Sequence, residues 1–157
     1  MIRLAYALAS KSNNLKFKLA YSYFSIDSLN MAKLYFSEIM KLDSKFAAAS
    51  QYYYAFISYR FGLYKSALYE FKQLLNDEKF GDIVPYYITQ IYFYNKEYKK
   101  LILFAKPLYS KVIASRKAEI NRLLADAYYR TNDFQNAIGY YEECLSDKSQ
   151  ESSLIYY

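Results

Sequence analysis

The stretch from Ala118 to Glu151, AEINRLLADAYYRTNDFQNAIGYYEECLSDKSQE, decides how the remaining chain is read. Apolar residues recur in it at helical spacing, in two blocks. Leu124, Ala125 and Tyr128 share one face of the first block, and Ala137, Tyr141 and Cys144 share one face of the second. Thr131-Asn132-Asp133 separates them. Asp133 suits an N-cap, because its carboxylate can accept from the unpaired amides of a first helical turn, and Phe134 follows as the first apolar anchor of the second helix. The stretch therefore predicts two helices of about four turns each, joined by a tight turn.

Working outward, the same features return upstream. The small residue of the first helix recurs as Ala20, Ala55, Thr89 and Ala125, at intervals of 35, 34 and 36 residues. The large residue that opens the second helix recurs as Leu29, Tyr64, Tyr98 and Phe134, and the small residue after it as Ala32, Ala67, Leu101 and Ala137, with the same three intervals. Three columns moving in step over four copies predict stacked helical hairpins. Small residues let two helix backbones approach, and Tyr23, Tyr92 and Tyr128 with Phe36, Phe71 and Tyr141 fill the space around that contact.

This pattern, a Leu-small pair, then Tyr, then Ala, then an aromatic at fixed offsets, resembles the tetratricopeptide repeat. The resemblance implies an all-α, right-handed superhelical solenoid of antiparallel helix pairs, with a concave inner surface lined by the first helix of each pair. The expected organisation is a leading helix over residues 1–12, standing as the second half of a preceding repeat. Four hairpins follow over 13–47, 48–81, 82–117 and 118–151, and the start of a further repeat over 152–157. No copy carries the Pro that the family often places after its second helix. Since SSLIYY at 152–157 starts another first helix without a polar cap, the chain reads as an excerpt from a longer array or as one whose end is covered by another molecule.

The third copy is the least regular. Thr89, Leu101 and Ala105 stand where the others have Ala, Ala and an aromatic, so large and small residues are partly exchanged between its helices. Pro85 falls in a first helical turn, where Pro is tolerated. Pro107 lies deeper and predicts a kink near Phe104 in a helix running on through AKPLYSKVIAS, since it removes an amide and crowds the previous turn.

Composition supports helices and narrows chemistry. Only 3 Gly and 2 Pro leave little material for a turn-rich β fold. With no His and a single Cys, most metal sites, His-based nucleophile triads and intramolecular disulfides are excluded. Cys144 sits at a small buried position and reads as a core thiol. No glycine-rich phosphate loop, cofactor motif or nucleophile with a base is present, and Asp77-Glu78 and Glu142-Glu143 fall near helix ends as solvated or capping groups. The chain is expected not to be an enzyme and to need no cofactor. No apolar run approaches the roughly 18 residues of a membrane span, and the opening MIRLAYALAS reads as a helix and not as a secretion signal.

Counted from each repeat start, the inward positions that the resemblance implies are mostly aromatic. The first copy places Phe17, Tyr21 and Phe24 there, the second Tyr52, Phe56, Tyr59 and Arg60, the third Tyr86, Gln90, Phe93 and Tyr94, and the fourth Arg122, Asp126, Tyr129 and Arg130. A contiguous apolar surface marks a partner site, and Tyr and Arg are frequent interface anchors. The expectation is a peptide groove, apolar toward the N-terminal copies and charged toward the C-terminal one. Chaperone-tail readers of the family hold a terminal carboxylate with Lys and Asn at these positions; Phe17, Tyr21, Tyr52, Phe56, Tyr86 and Gln90 stand here instead.

A second candidate surface is basic: Lys96, Lys99, Lys100, Lys106, Lys111, Arg116, Lys117 and Arg122, against Glu97 and Glu119. Eight minus two is +6, the whole formal net charge. It is a solvated helix face or a patch for an acidic partner, an anionic membrane surface or nucleic acid. Reading RNA one base per repeat needs a recurring polar pair, and Phe17, Tyr52, Tyr86 and Arg122 offer none, which argues against nucleic acid. The sequence thus points to a non-catalytic scaffold holding a peptide or protein partner in an aromatic groove. A structural module that self-associates through its chain ends is the alternative, and an RNA-binding array is the weaker one.

Overall fold

The structure, a computed structural model, describes residues 2–108 and 114–146, with side chains over 11–108 and 116–146. Every regular element among these residues is helical: α1 (Ile2–Ser25), α2 (Leu29–Ile39), α3 (Ala47–Arg60), α4 (Tyr64–Gln73), α5 (Val84–Tyr94), α6 (Tyr98–Leu108), α7 (Ala114–Arg130) and α8 (Phe134–Ser146). The chain packs as two compact units, Met1–Phe80 and Gly81–Tyr157. In the first, α1 packs on α2, α2 on α3 and α3 on α4; in the second, α5 packs on α6, α6 on α7, α7 on α8, and α5 also touches α7.

Each hairpin turns on a single left-handed residue, Asp27, Gly62, Lys96 and Asn132, with φ of 58°, 70°, 58° and 60°. These four keep the repeat intervals and form a further column, one that residue type conceals. Around each, the next amide donates five residues back, from Ser28 to Tyr23 O, Leu63 to Ser58 O, Glu97 to Tyr92 O and Asp133 to Tyr128 O, at 2.8–2.9 Å. The left-handed residue itself donates three back, so two otherwise unpaired carbonyls are satisfied at each helix end. The second helix then starts at once. At Asp133 the expected cap is present: its carboxylate accepts from the Asn136 amide at 3.3 Å and from the Asn136 side chain at 2.8 Å.

The columns of small residues are the interior. Ala20, Ala55, Thr89 and Ala125 and, opposite them, Ala32, Ala67, Leu101 and Ala137 are buried. Phe36, Ile39 and Ile57 complete the core of the first unit, with Phe17, Tyr23, Phe24, Tyr35, Phe46, Tyr53 and Tyr54 packed against it. In the second unit Ile88, Ile91, Leu123, Leu124 and Tyr128 do the same work. Thr89 fits a buried place because its hydroxyl donates to Pro85 O at 2.7 Å. Cys144 is half-buried, with Sγ 3.9 Å from Ala118 O.

The helix bounds differ from expectation in two places. A separate leading helix over 1–12 is not seen: α1 runs unbroken from Ile2 to Ser25, since no Gly or Pro lies between the two expected pieces. The first helix of the fourth copy is already helical at Ala114, ahead of the expected Ala118. Pro85 does lie at the start of α5, and α6 is described from Tyr98 to Leu108, with Pro107 inside it. The expected continuation of that helix, Lys111 and the trailing SSLIYY lie outside the described residues.

Candidate functional site

In the first unit, α1 and α3 lie against each other's aromatic residues. Tyr21 sits 6.2 Å from Phe24 and 5.5 Å, edge-on, from Tyr53. Phe24 lies 5.1 Å from Tyr53 and 5.9 Å from Phe56. Tyr52 continues the row, 5.5 Å from Tyr53 and stacked 4.6 Å from Phe80. These rings are half-buried and Tyr21 is exposed, so the row has an inner edge in the core and an outer edge in solvent. Phe17 is more deeply engaged, stacked 5.0 Å from Phe46 and edge-on to Phe36. Tyr59 meets Tyr64 at 6.0 Å, and Arg60 is tied to Asp27 at 2.9 Å.

Tyr53 is the residue that sequence reasoning missed. It falls between the implied inward positions, yet it touches Phe17, Tyr21, Phe24, Phe36 and Tyr52. Burial, followed by the neighbouring Tyr21, raises its phenol above the ordinary value. The signal available was the run Tyr52-Tyr53-Tyr54, which puts a ring on three sides of one helix turn.

In the second unit the implied positions part company. Tyr86 and Gln90 are buried, where an open groove would leave them exposed. The Tyr86 hydroxyl donates to Glu119 Oε1 at 2.7 Å and accepts from Gln90 Nε2 at 2.7 Å, while the Arg116 guanidinium lies 4.4 Å from its ring centre and 3.4 Å from Glu119. Burial and then Glu119 push the Tyr86 phenol well up. This pair joins α5 to α7 and acts as internal packing. Phe93 is half-buried against Tyr98 and Tyr94, and Tyr94 is exposed. On α7, Tyr129 and Arg130 are exposed, and Arg122 pairs with Asp126 at 3.6 Å. Asp126 also accepts from the Tyr141 hydroxyl at 2.6 Å; burial first, then that carboxylate, pushes the Tyr141 phenol up to about 12.

The basic surface is partly neutralised within its own helices. Lys100 pairs with Glu97 at 3.0 Å and Arg116 with Glu119 at 3.4 Å. Lys96, Lys99 and Lys106 are exposed, and Lys117 is half-buried. Among the described residues no group of His, Cys, Asp or Glu is arranged to hold a metal ion, and no helix is long and apolar enough to cross a membrane.

Consecutive helix pairs, closed by one recurring turn and packed on small residues, define the class as a tetratricopeptide-like helical-repeat fold. Solved structures bear this out. One crystal structure of MamA, itself a tetratricopeptide-like protein, matches with a TM-score of 0.73 and 18% identity over 94% of this chain and 87% of that one. A second MamA structure matches with a TM-score of 0.71 and 18% identity over 92% and 79%. No protein-family model and no curated protein matches the chain in sequence. The likeness is one of fold.

Proposed function

We propose that this chain is a non-catalytic scaffold that holds an extended segment of a protein partner against the aromatic row of α1 and α3. The observation that carries this reading is the joined row Tyr21, Phe24, Tyr53, Phe56 and Tyr52, whose rings are half-buried against one another, with Tyr21 exposed at its end. A ring held by its neighbours loses little freedom when a ligand packs on it, and Tyr adds a hydroxyl for the ligand backbone. The partner class that fits is a segment with apolar or aromatic side chains.

The test is selection of peptides from a random displayed library on the intact chain, followed by affinity measurement on a Tyr21→Ala, Phe56→Ala double variant. Expected is a loss of about tenfold or more, the scale of an interface anchor. Selected peptides that bind the double variant as well as the parent, or a library that yields none, would reject the aromatic row as the site.

A further inference from the structure

The four copies share one more column, and α1 differs from the later first helices along it. Stepping from Leu15 by the intervals 35, 34 and 36 reaches Ser50, Val84 and Ile120; from Leu19, Tyr54, Ile88 and Leu124; and from Ile26, Phe61 in the second copy. Ser50, Val84, Ile88, Ile120 and Leu124 are at most 1% exposed and Tyr54 is half-buried, whereas Leu15 is 59% and Leu19 41% exposed; Ile26, at 73%, is more open than Phe61, at 42%. What covers the stripe is visible within the first unit. There α2 packs on α3, and Lys33 of α2 places Nζ 5.0 Å from the Tyr54 ring centre and 5.9 Å from that of Phe61. In the second unit α6 packs in the same order on α7, which carries Ile120 and Leu124. The stripe is thus a seat for the second helix of another hairpin. On α1 that seat is open, a shallow groove of about 380 Å³ lined by Lys11, Ser12, Leu15, Lys16 and Leu19.

The same register names the helix face that fits it. Lys33 is followed by Leu68, Ile102 and Ile138, and Met40 by Leu75 and, in the fourth copy, Leu145. Lys33, Leu68, Ile102, Met40 and Leu75 are half-buried, yet Ile138 is 51% and Leu145 81% exposed. So α8 presents an apolar edge at the register position from which Lys33 of α2 reaches α3. Charge agrees as well: α1 contains Arg3, Lys11, Lys16 and Lys18 with no acidic residue, and α8 contains Glu142 and Glu143 with no basic one.

We propose that α8 of one copy docks on the α1 stripe of a second copy, Ile138 lying over Leu19 and Ile26 as Lys33 lies over Tyr54 and Phe61. The two surfaces are different, so the contact is heterologous and leaves each bound copy one unused face, from which association continues. Sedimentation of the intact chain across a concentration series tests it. The weight-average mass is expected to rise with concentration, and Leu19→Glu or Ile138→Glu alone to abolish the rise. Leu19→Glu keeps its α8 edge and Ile138→Glu keeps its α1 seat, so an equimolar mixture of the two should form a species of twice the monomer mass and stop there. Both side chains are exposed, and circular dichroism checks the fold; Leu15→Glu and Leu145→Glu block the same two faces if either first variant is disturbed. A parent chain that stays monomeric, association that survives either substitution, or a mixture that stays monomeric would overturn the proposal.

Discussion

Lys96 holds a backbone conformation that its side chain disfavours. At φ 58° it stands in the column shared with Asp27, Gly62 and Asn132, and a left-handed conformation costs an ordinary residue about 1–2 kcal/mol. Glycine removes that strain and returns about 0.5–1 kcal/mol of it through greater freedom of the unfolded chain. Lys96→Gly should therefore stabilise the protein by about 0.5–1 kcal/mol in urea unfolding. Gly62→Ala should do the reverse by about 0.5–1 kcal/mol, through backbone strain partly offset by the unfolded chain's reduced freedom and with no clash, because a Cβ at Gly62 would meet no atom within 4 Å. Tyr141 makes a prediction in pH. Its phenol is raised from 10.0 to about 12, so the neutral hydroxyl's bond to Asp126 contributes fully below pH 10 and is lost as pH rises toward 12. The melting temperature should fall through that window, and Tyr141→Phe should show a shallower fall from a lower starting value at neutral pH.

Between helices, what counts is which side of a helix a ring occupies. Phe36 is wholly buried between α1 and α2 and stacks 5.0 Å from Tyr53, so Phe36→Ala should cost about 3–5 kcal/mol. Tyr21, on the open edge of the same aromatic row, should cost under about 1 kcal/mol when cut to Ala, since its ring is largely in water already. Thermal melting of the two variants checks the distinction, and equal losses would show that the row has no open edge. Small-residue positions carry the opposite constraint: Ala55 is wholly buried, and a Leu there should cost about 1–3 kcal/mol by overpacking. The hairpin spacing, the buried small columns, the Asp133 cap and the place of Pro85 were all legible in the sequence, because each is set by contacts local to one hairpin.

At the scale of the molecule, the repeat constrains only a few columns and leaves the other positions free to drift. That is the physical reason a fold can match at a TM-score of 0.73 while identity is 18%. It also separates the two interaction surfaces in their response to salt. Peptide capture on the aromatic row buries apolar rings and should hold as ionic strength rises, while the contact between basic α1 and acidic α8 should weaken with the screening of exposed charges. Measuring both at two salt concentrations distinguishes them. The formal charge of +6 contributes to solubility and encounter with acidic partners, and it says nothing of the fold.

Helical hairpins at a period near 34 were determined by the sequence itself, because helix periodicity, caps and close backbone approach depend on residues near one another in the chain. Tertiary structure alone decided which rings face solvent. Tyr52 and Tyr86 hold equivalent places in their copies, yet Tyr86 is buried under Arg116 and bonded to Glu119, whereas Tyr52 stays half-open beside Phe80. Tyr53, outside every implied position, became the hub of the row. Exposure is set by what a neighbouring helix lays over a side chain, and no spacing within one helix records that.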